Sequence, residues 1–408
     1  MVLPQGFGGN FPPVSAPRKF HAACFIVEGL NSFATVFYFN YLYFLFRDQY
    51  GFNDKQNLML AAIMGLIYMF ASWQAGKFGQ RFGNFTALKL GFGIMAAGLA
   101  VGSQLHFVAG AIAAACVVNI GMCFTWPVLE ALVSEGTVAA RAVGIYNITW
   151  AATNALGYFI GGTLIVKFGY QSMFYLPLAL VVAQLAITFW IEKWHQGMAG
   201  GSHLTSPGVE RPPAALAKKF QLMAWLANPF AYIAINTLLA VIPGIAEKFQ
   251  MSPMFAGFVC SLWCFVRLGT FVLLWRWTAW HYRFRWLLAA FILLILGFAA
   301  ILAAPNLAVL IAAQLFFGAA IGLIYYSSLF YSMDASDTKS EHGGIHEAAI
   351  GAGNFIGPAV GAASLQFFPH HTHNGVIAVS VLLLGGLGGM LWVKKSGAEI
   401  QVPAKPPK

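Results

Sequence analysis

Twelve apolar segments follow one another along this chain, and each is long enough to cross a lipid bilayer. A membrane-spanning helix needs about 20 predominantly apolar residues, and a backbone inside lipid has to satisfy its hydrogen bonds internally, which favours helices. Charged residues make up only 9% of the chain and hydrophobic residues 59%, whereas about a quarter of a soluble domain is charged. The sequence therefore predicts an all-α integral membrane protein and excludes an ordinary soluble domain.

The apolar segments form two groups of six. They lie at about 20–46, 56–76, 86–105, 107–132, 142–166 and 171–192, and at about 221–246, 253–276, 286–304, 307–333, 343–367 and 375–393. The polar stretch between the groups is rich in Gly and Pro and has no periodicity, which is typical of a linker. We predict an N-terminal segment (1–19), a six-helix bundle (20–192), a linker (193–220), a second six-helix bundle (221–393) and a tail (394–408).

Basic residues predict the orientation, because cytoplasmic loops carry an excess of Lys and Arg. Eighteen Lys and Arg residues fall on the side of the N-terminus, and only four, Arg47, Lys55, Lys167 and Lys248, fall on the other. Both termini and the linker are therefore predicted to be cytoplasmic, in a bacterial inner membrane. The net charge of +10 follows from this topology, and we predict no nucleic-acid partner.

An internal repeat relates the two groups of segments. At an offset of 200, the fifth segment (Gly144–Gly162) aligns with the eleventh (Gly344–Ala362), and Asn154/Asn354, Gly157/Gly357 and Gly161/Gly361 are among the identical pairs. Parallel repeats in membrane proteins are related by an axis along the membrane normal. The prediction is two pseudo-symmetric six-helix bundles around a central cavity.

The loop between segments two and three, GKFGQRFGN at Gly76–Asn84, resembles the signature loop of the major facilitator superfamily. Gly76, Arg81 and Gly83 match the family pattern, and Gln80 stands where the family usually has an acid. The junction after the fourth segment, PVLEALVSEGTVAAR, resembles the family's charge cluster of a Glu and an Arg. The resemblance implies a secondary transporter that works by alternating access as a monomer, with a cytoplasmic gate at Gly76, Gln80, Arg81, Gly83, Glu130, Glu135 and Arg141.

Four charged residues lie within the predicted spans, where each costs roughly 2.5–3.5 kcal/mol on insertion scales. Glu130 lies near the end of its span and fits the gate, and Glu347 lies in the first turns of a helix, where an acid suits the helix dipole. Glu28 and Arg267 lie too deep for such explanations. We predict that they act in proton or substrate binding.

Polar residues at helical spacing form stripes on segments one, four, five and ten, which in the family face or flank the transport path. The predicted substrate-binding residues are Asn31, Thr35, Tyr38, Asn119, Trp126, Trp150, Asn154, Tyr325 and Ser328, together with Arg267. For each one the alternative is an interhelical hydrogen bond that only holds the bundle together. The aromatic members favour an amphipathic or ring-bearing solute.

The chemistry of coupling follows from the same charges. A carboxylic acid in a site of low dielectric favours its neutral form, and water or a cation favours the ionised form; Glu28 is the first candidate proton carrier and Glu347 the second, with His346 beside it. Arg267 cannot deprotonate and needs an anion, so the favoured substrate is an organic anion moved with a proton.

Neither a cofactor nor a metal site is predicted. The five cysteines lie within apolar segments without metal-ligand spacing, and the three histidines of PHHTHNG at Pro369–Gly375 have no carboxylate or thiolate beside them. No phosphate-binding Gly-rich loop with a Lys is present, so direct use of ATP is not predicted.

Several alternatives stay open at this level. The transporter can instead move a neutral sugar, with Arg267 paired internally, or export an amphipathic drug. A receptor of the same fold would bind its ligand without moving it. An enzyme is not expected, because it would need catalytic groups that converge at one membrane depth, and the acids are scattered over separate helices.

Overall fold

The structure is a computed structural model that describes residues 18–134, 139–196, 213–335, 339–368 and 374–396. These residues form helices joined by short turns, with no strand among them. The helices of the first half are α1 (Arg18–Tyr50), α2 (Asp54–Phe82), α3 (Asn84–Gly102), α4 (Val108–Cys123), α5 (Trp126–Ser134), α6 (Ala139–Phe168) and α7 (Ser172–Gln196). Those of the second half are α8 (Ala214–Lys248), α9 (Pro253–Cys260), α10 (Leu262–Arg276), α11 (Phe284–Leu302), α12 (Leu307–Ala335), α13 (Lys339–Phe367) and α14 (Asn374–Ser396).

The helices correspond to the predicted spans, which confirms the all-α membrane fold. Within the described residues, eleven stretches are long and apolar enough to cross a membrane. The remaining predicted span, the fifth, is the 30-residue helix α6, which carries more polar residues. Several helices extend beyond the apolar segments: α7 continues to Gln196 and α8 begins at Ala214, while 197–212, the middle of the predicted linker, lies outside the described residues.

Two of the predicted spans are interrupted. The fourth is divided into α4 and α5 at Phe124 and Thr125. Pro127, the second residue of α5, cannot donate a backbone hydrogen bond to the preceding helix. The eighth is divided into α9 and α10 at Ser261. By contrast α8 runs through both of its prolines without ending. The interruptions matter because α4, α5 and α10, which begin or end at them, carry residues of the cavity described below.

Two pairs of contacts join the halves: α2 packs along α13, and α6 packs along α9 and α10. At each of these contacts a glycine lets the two helices approach closely. A Cβ atom at Gly65 on α2 would lie 2.3 Å from the backbone carbonyl carbon of Asn354, and one at Gly162 on α6 would lie 2.1 Å from the carbonyl oxygen of Pro253. In the predicted repeat α6 corresponds to α13, so the two interfaces are related by the same pseudo-symmetry.

Further contacts join the halves at the end of the bundle where α1 finishes, the predicted external end. The Arg47 guanidinium donates to the carbonyl oxygen of Pro243, and Lys55 Nζ donates to Gln366 Oε1 at 3.0 Å. Large apolar side chains such as Leu296 and Val381 are exposed, as expected where a helix faces lipid. The fold is therefore two contacting helical halves with an apolar outer surface.

Candidate functional site

A cavity of about 200 Å³ lies between the two halves. Helices from both halves line it, which is the arrangement that the internal repeat predicts. Its polar, charged and aromatic lining residues include Thr35, Phe39, Asn40, Tyr43, Tyr68, Asn119, Trp126, Tyr146, Trp150, Asn154, Tyr232, Asn236, Trp263, Arg267, Tyr325, Glu347 and Asn354. The volume is below the 300–1,000 Å³ that is common for drug-sized ligands, which suits a small solute.

Arg267 on α10 is the cation of this cavity and is only 4% exposed. Its Nη2 donates to Asn154 Oδ1 at 2.7 Å, and its guanidinium carbon lies 4.5 Å from the ring centroid of Trp150 and 4.9 Å from that of Trp263. Among the described residues no carboxylate lies within 4 Å of the guanidinium and Nε has no hydrogen-bond partner. The ring and amide contacts hold the side chain in place, but they leave its positive charge without a counter-ion in the part of the chain that the structure describes.

The position of Arg267 depends on how closely α9 and α10 approach the first half. A Cβ atom at Gly257 on α9 would lie 2.3 Å from the Tyr41 hydroxyl group and 3.2 Å from the carbonyl oxygen of Tyr158. Glycine at this site, with Gly162 opposite Pro253, lets α9 lie against α1 and α6. Since α10 continues from α9 after one residue, the side chain of Arg267 then reaches Asn154 on α6.

A second cluster of charged groups lies where α5 meets α13. One ligand atom each from Glu130, His346 and Glu347 lies within 4.8 Å of the other two, a spacing at which the three groups can share one cation. His346 Nδ1 lies 3.7 Å from Glu347 Oε1, and the Tyr68 hydroxyl donates to Glu347 Oε2 at 2.5 Å. His346 Nε2 lies 3.2 Å from Asn228 Nδ2, so neighbouring helices hold both His346 and Glu347.

Glu28 on α1 differs from Glu347 in its access to the cavity. It is 0% exposed, and it is not one of the described residues that line the cavity. Ser32 Oγ donates to its Oε1 at 3.4 Å, while Oε2 has no partner within the described part of the chain. Glu28 nevertheless interacts electrostatically with Glu130 and Glu347, so the three acids belong to one region of the protein.

Aromatic rings connect the region of Arg267 with the region of Glu347. The centroid of Trp150, which stacks on Arg267, lies 5.0 Å from that of Tyr325, and the Tyr325 ring lies 5.9 Å from the His346 ring. These contacts give the cavity an aromatic wall between its positive and its acidic groups.

The predicted substrate-binding residues separate into two sets. Thr35, Asn119, Trp126, Trp150, Asn154, Arg267 and Tyr325 line the cavity, whereas Asn31, Tyr38 and Ser328 are buried and are not among the described lining residues. Asn31 donates to the Thr125 hydroxyl at 3.0 Å, and the Tyr38 ring packs edge-on against Phe174. Asn31 therefore makes the interhelical hydrogen bond that was the alternative explanation of these stripes.

The predicted gate is described only in part. Gly83 separates α2 from α3 with a φ of 90°, a left-handed conformation that favours glycine; Gly76 is buried, while Gln80 and Arg81 are exposed. Glu135 and the side chain of Arg141 lie outside the described residues, so their predicted cluster with Arg81 stays a prediction. Glu130 lies with His346 and Glu347.

Several lining residues were not singled out by the sequence. Tyr232 and Asn236 on α8 face the cavity four residues apart, so a stripe search extended to the seventh span would have found them. Tyr68 and Trp263 stand alone in apolar surroundings and give no such signal. The acids of separate helices also converge in the folded chain, which linear spacing alone does not reveal.

Helices from both halves line one partly charged cavity, an arrangement that is typical of membrane transport proteins built from two repeats. Residues 224–408 match the family model of the Major Facilitator Superfamily. The fold is similar to that of the human organic anion transporter MFSD10 (TETRAN), with a TM-score of 0.69 and 15% sequence identity over 94% of this chain and 100% of that chain. The second half of the chain is therefore similar in sequence to the Major Facilitator Superfamily, a family of transporters, and the chain shares the fold of a solved transporter structure.

Proposed function

We propose that this protein moves an organic anion together with a proton by alternating access, with Arg267 as the anion-binding residue and Glu28 as the proton carrier. The observation that supports the anion is the charge of Arg267, which is buried in the cavity wall without a carboxylate partner among the described residues. A planar guanidinium binds a carboxylate through two parallel hydrogen bonds. The organic anion transporter of similar fold is consistent with this substrate class.

A neutral sugar is the less favoured substrate, because four of the five described asparagine amides that line the cavity already have partners. Asn154 accepts from Arg267, Asn236 Nδ2 donates to Asn354 Oδ1 at 2.5 Å, and Asn119 Nδ2 donates to the carbonyl oxygen of Met64 at 2.8 Å. A sugar would have to compete with these hydrogen bonds. An anion would instead bind to a guanidinium that still has an unused donor at Nε.

The anion proposal predicts that Arg267→Ala abolishes transport and that Arg267→Lys retains a part of it. Hydrogen bonds to charged groups contribute about 1.5–3 kcal/mol, so carboxylate affinity should fall roughly 10- to 100-fold. The measurement is counterflow of labelled carboxylates in proteoliposomes; a receptor would give binding without exchange. Arg276→Ala, an exposed arginine on the same helix, is the matched control, and full activity of Arg267→Ala would contradict the proposal.

The proton proposal concerns Glu28, which is buried and apart from the cavity lining, with Glu347 as the second candidate. Glu28→Gln keeps the shape of the side chain but cannot exchange a proton at neutral pH. We expect it to keep solute exchange and to lose accumulation driven by a pH gradient. Glu247→Gln makes the same chemical change at an exposed position of α8 and should leave both activities intact. An unchanged response of Glu28→Gln to the pH gradient would reject this assignment.

A further inference from the structure

Groups of opposite charge face the cavity from two helices of the second half. Arg267 on α10 and Glu347 on α13 both line it, and Tyr232 on α8 interacts electrostatically with both. Within the described ranges the two side chains form no ion pair with each other. The cavity can therefore receive a molecule that carries a negative and a positive group at the same time.

The acidic side of the cavity offers acceptors that suit an ammonium group. The Tyr68 hydroxyl occupies Glu347 Oε2, so Oε1 is left facing His346 Nδ1 at 3.7 Å. His346 is only 5% exposed, and its Nδ1 has no hydrogen-bond partner in the described part of the protein. One ligand atom each from Glu130, His346 and Glu347 lies within 4.8 Å of the other two, and of the three residues Glu347 is the one among the described lining residues. A primary ammonium group has three N–H donors and no acceptor, which matches three converging acceptors.

The other nitrogen of the His346 ring is held by Asn228. Nε2 lies 3.2 Å from the Asn228 amide, and Asn228 Oδ1 has no partner among the described residues. A half-turn of the amide, which exchanges its nearly indistinguishable O and N atoms, places Oδ1 opposite Nε2. In the neutral tautomer with its hydrogen on Nε2, the ring then donates to Asn228, and Nδ1 carries the lone pair.

The wall between the two charged regions is aromatic. Trp150 contacts Arg267 on one side and Tyr325 on the other, and Tyr325 in turn contacts His346. A substrate that spans the two regions therefore lies against ring faces, which favours an apolar or aromatic body between its charged groups.

We infer that the substrate is a small zwitterion: its carboxylate binds Arg267, its ammonium group binds Glu347 on the cavity side of the cluster with Glu130 and His346, and its apolar body lies against Trp150 and Tyr325. This inference rests on the proposed function, because it keeps Arg267 as the carboxylate site and adds a second recognition point. It gives Glu347 a role in substrate binding and leaves Glu28, which is not among the described lining residues, as the proton carrier.

The test compares three probes that have the same apolar side chain: an amino acid, the same molecule without its amine, and the same molecule without its carboxylate. The phenyl set is phenylalanine, 3-phenylpropanoate and phenethylamine; indole and branched aliphatic sets follow the same scheme. Affinities are measured by calorimetry on the purified protein. His370, His371 and His373 are replaced by Ala in every variant, so that these histidines do not bind the ligands or trace metals. Counterflow in proteoliposomes then checks that the bound probe is exchanged.

In at least one set the zwitterion should bind roughly 10- to 100-fold more tightly than the carboxylate that lacks the amine. Glu347→Gln should remove this advantage, so that the zwitterion binds no more tightly than the plain carboxylate, and Glu347→Asp should keep part of it. Arg267→Ala should weaken both probes. Glu247→Gln is the control for the loss of an acid outside the cavity. If Glu347→Gln does not purify as a monodisperse protein, Glu347→Asp and Glu130→Gln provide the same comparison.

The outcomes separate this inference from the proposed function. Should plain carboxylates bind as tightly as zwitterions in every set, or should the preference survive in Glu347→Gln, the zwitterion is rejected and the anion proposal stands. Tight binding of the decarboxylated amine with no effect of Arg267→Ala would overturn both. Wild-type protein that binds none of the probes would likewise overturn both.

Discussion

The two interfaces between the halves both contain a close glycine contact but differ in chemistry. Each depends on a glycine that allows backbone to approach backbone: Gly65 where α2 meets α13, and Gly162 where α6 meets α9. Near the first interface lie Glu347 and the hydroxyl group that binds it; at the second, Arg267 from α10 is stacked on aromatic rings. Duplicated halves thus keep the close contact that holds them together, while the charged residues beside it differ.

The sequence offset of the repeat shows where this difference arises. Asn154 on α6 and Asn354 on α13 are identical and both line the cavity. Seven residues earlier, Asn147 occupies in α6 the place that Glu347 occupies in α13, and Tyr146 likewise corresponds to His346. Packing restricts the glycines in both copies, whereas residues that face a cavity are free to diverge. An asymmetric binding site can therefore form inside a pseudo-symmetric frame.

The largest expected effect concerns the close glycine contact that each interface contains. Gly65→Ala and Gly162→Ala each place a methyl group less than 2.5 Å from backbone atoms of the opposite half, and a backbone atom cannot move aside as a flexible side chain can. Overpacking of this kind costs about 1–3 kcal/mol. Both variants should lower the unfolding temperature of the detergent-purified protein, followed by tryptophan fluorescence.

Gly385→Ala provides the control for these variants, because a Cβ atom at Gly385 on α14 would have no neighbour within 4 Å. It should leave the unfolding temperature unchanged or raise it slightly. If one of the two interface variants behaves like this control while the other unfolds early, the two interfaces do not share the same packing requirement.

A smaller effect sharpens the chemical difference between the interfaces. Asn154 accepts a hydrogen bond from a charged guanidinium, whereas Asn354 accepts one from the neutral amide of Asn236. Bonds to charged groups contribute about 1.5–3 kcal/mol and neutral ones about 0.5–1.5 kcal/mol. Asn154→Ala should therefore weaken binding of 3-phenylpropanoate, or of the best-bound carboxylate, more than tenfold, and Asn354→Ala only a few-fold.

Calorimetric dissociation constants of the two alanine variants give this ranking directly, since the substitution is the same at two pseudo-equivalent positions. A larger loss in Asn354→Ala would mean that the anion is held at α13 and not at α10. Equal and small losses would mean that Asn154 does not position the guanidinium for its ligand.

Much of the architecture could be predicted from the sequence because lipid imposes simple rules. Apolar length gave the spans, and a fixed offset gave the repeat, with the cavity between the halves that it implies. The interruptions of helices were harder to predict. Pro127 marks the division of the fourth span, but Ser261 gives no comparable sign in the eighth. Helix α8 continues through two prolines, so proline alone does not predict an interruption. Orientation, read from loop charge, and the gate residues Glu135 and Arg141 stay predictions.

Only a part of the candidate site could be predicted by the same reasoning. Sequence alone determined that Glu28, Glu130, Arg267 and Glu347 are costly charges in apolar helices, because the energetic penalty of each depends on its own surroundings along the chain. Only the tertiary structure decided which of them meet: Arg267 with Asn154 and two Trp rings, Glu347 with Tyr68, His346 and Glu130. Helical periodicity defines which face of a helix a side chain occupies, but the neighbour on that face is chosen by close glycine contacts between segments far apart in the chain.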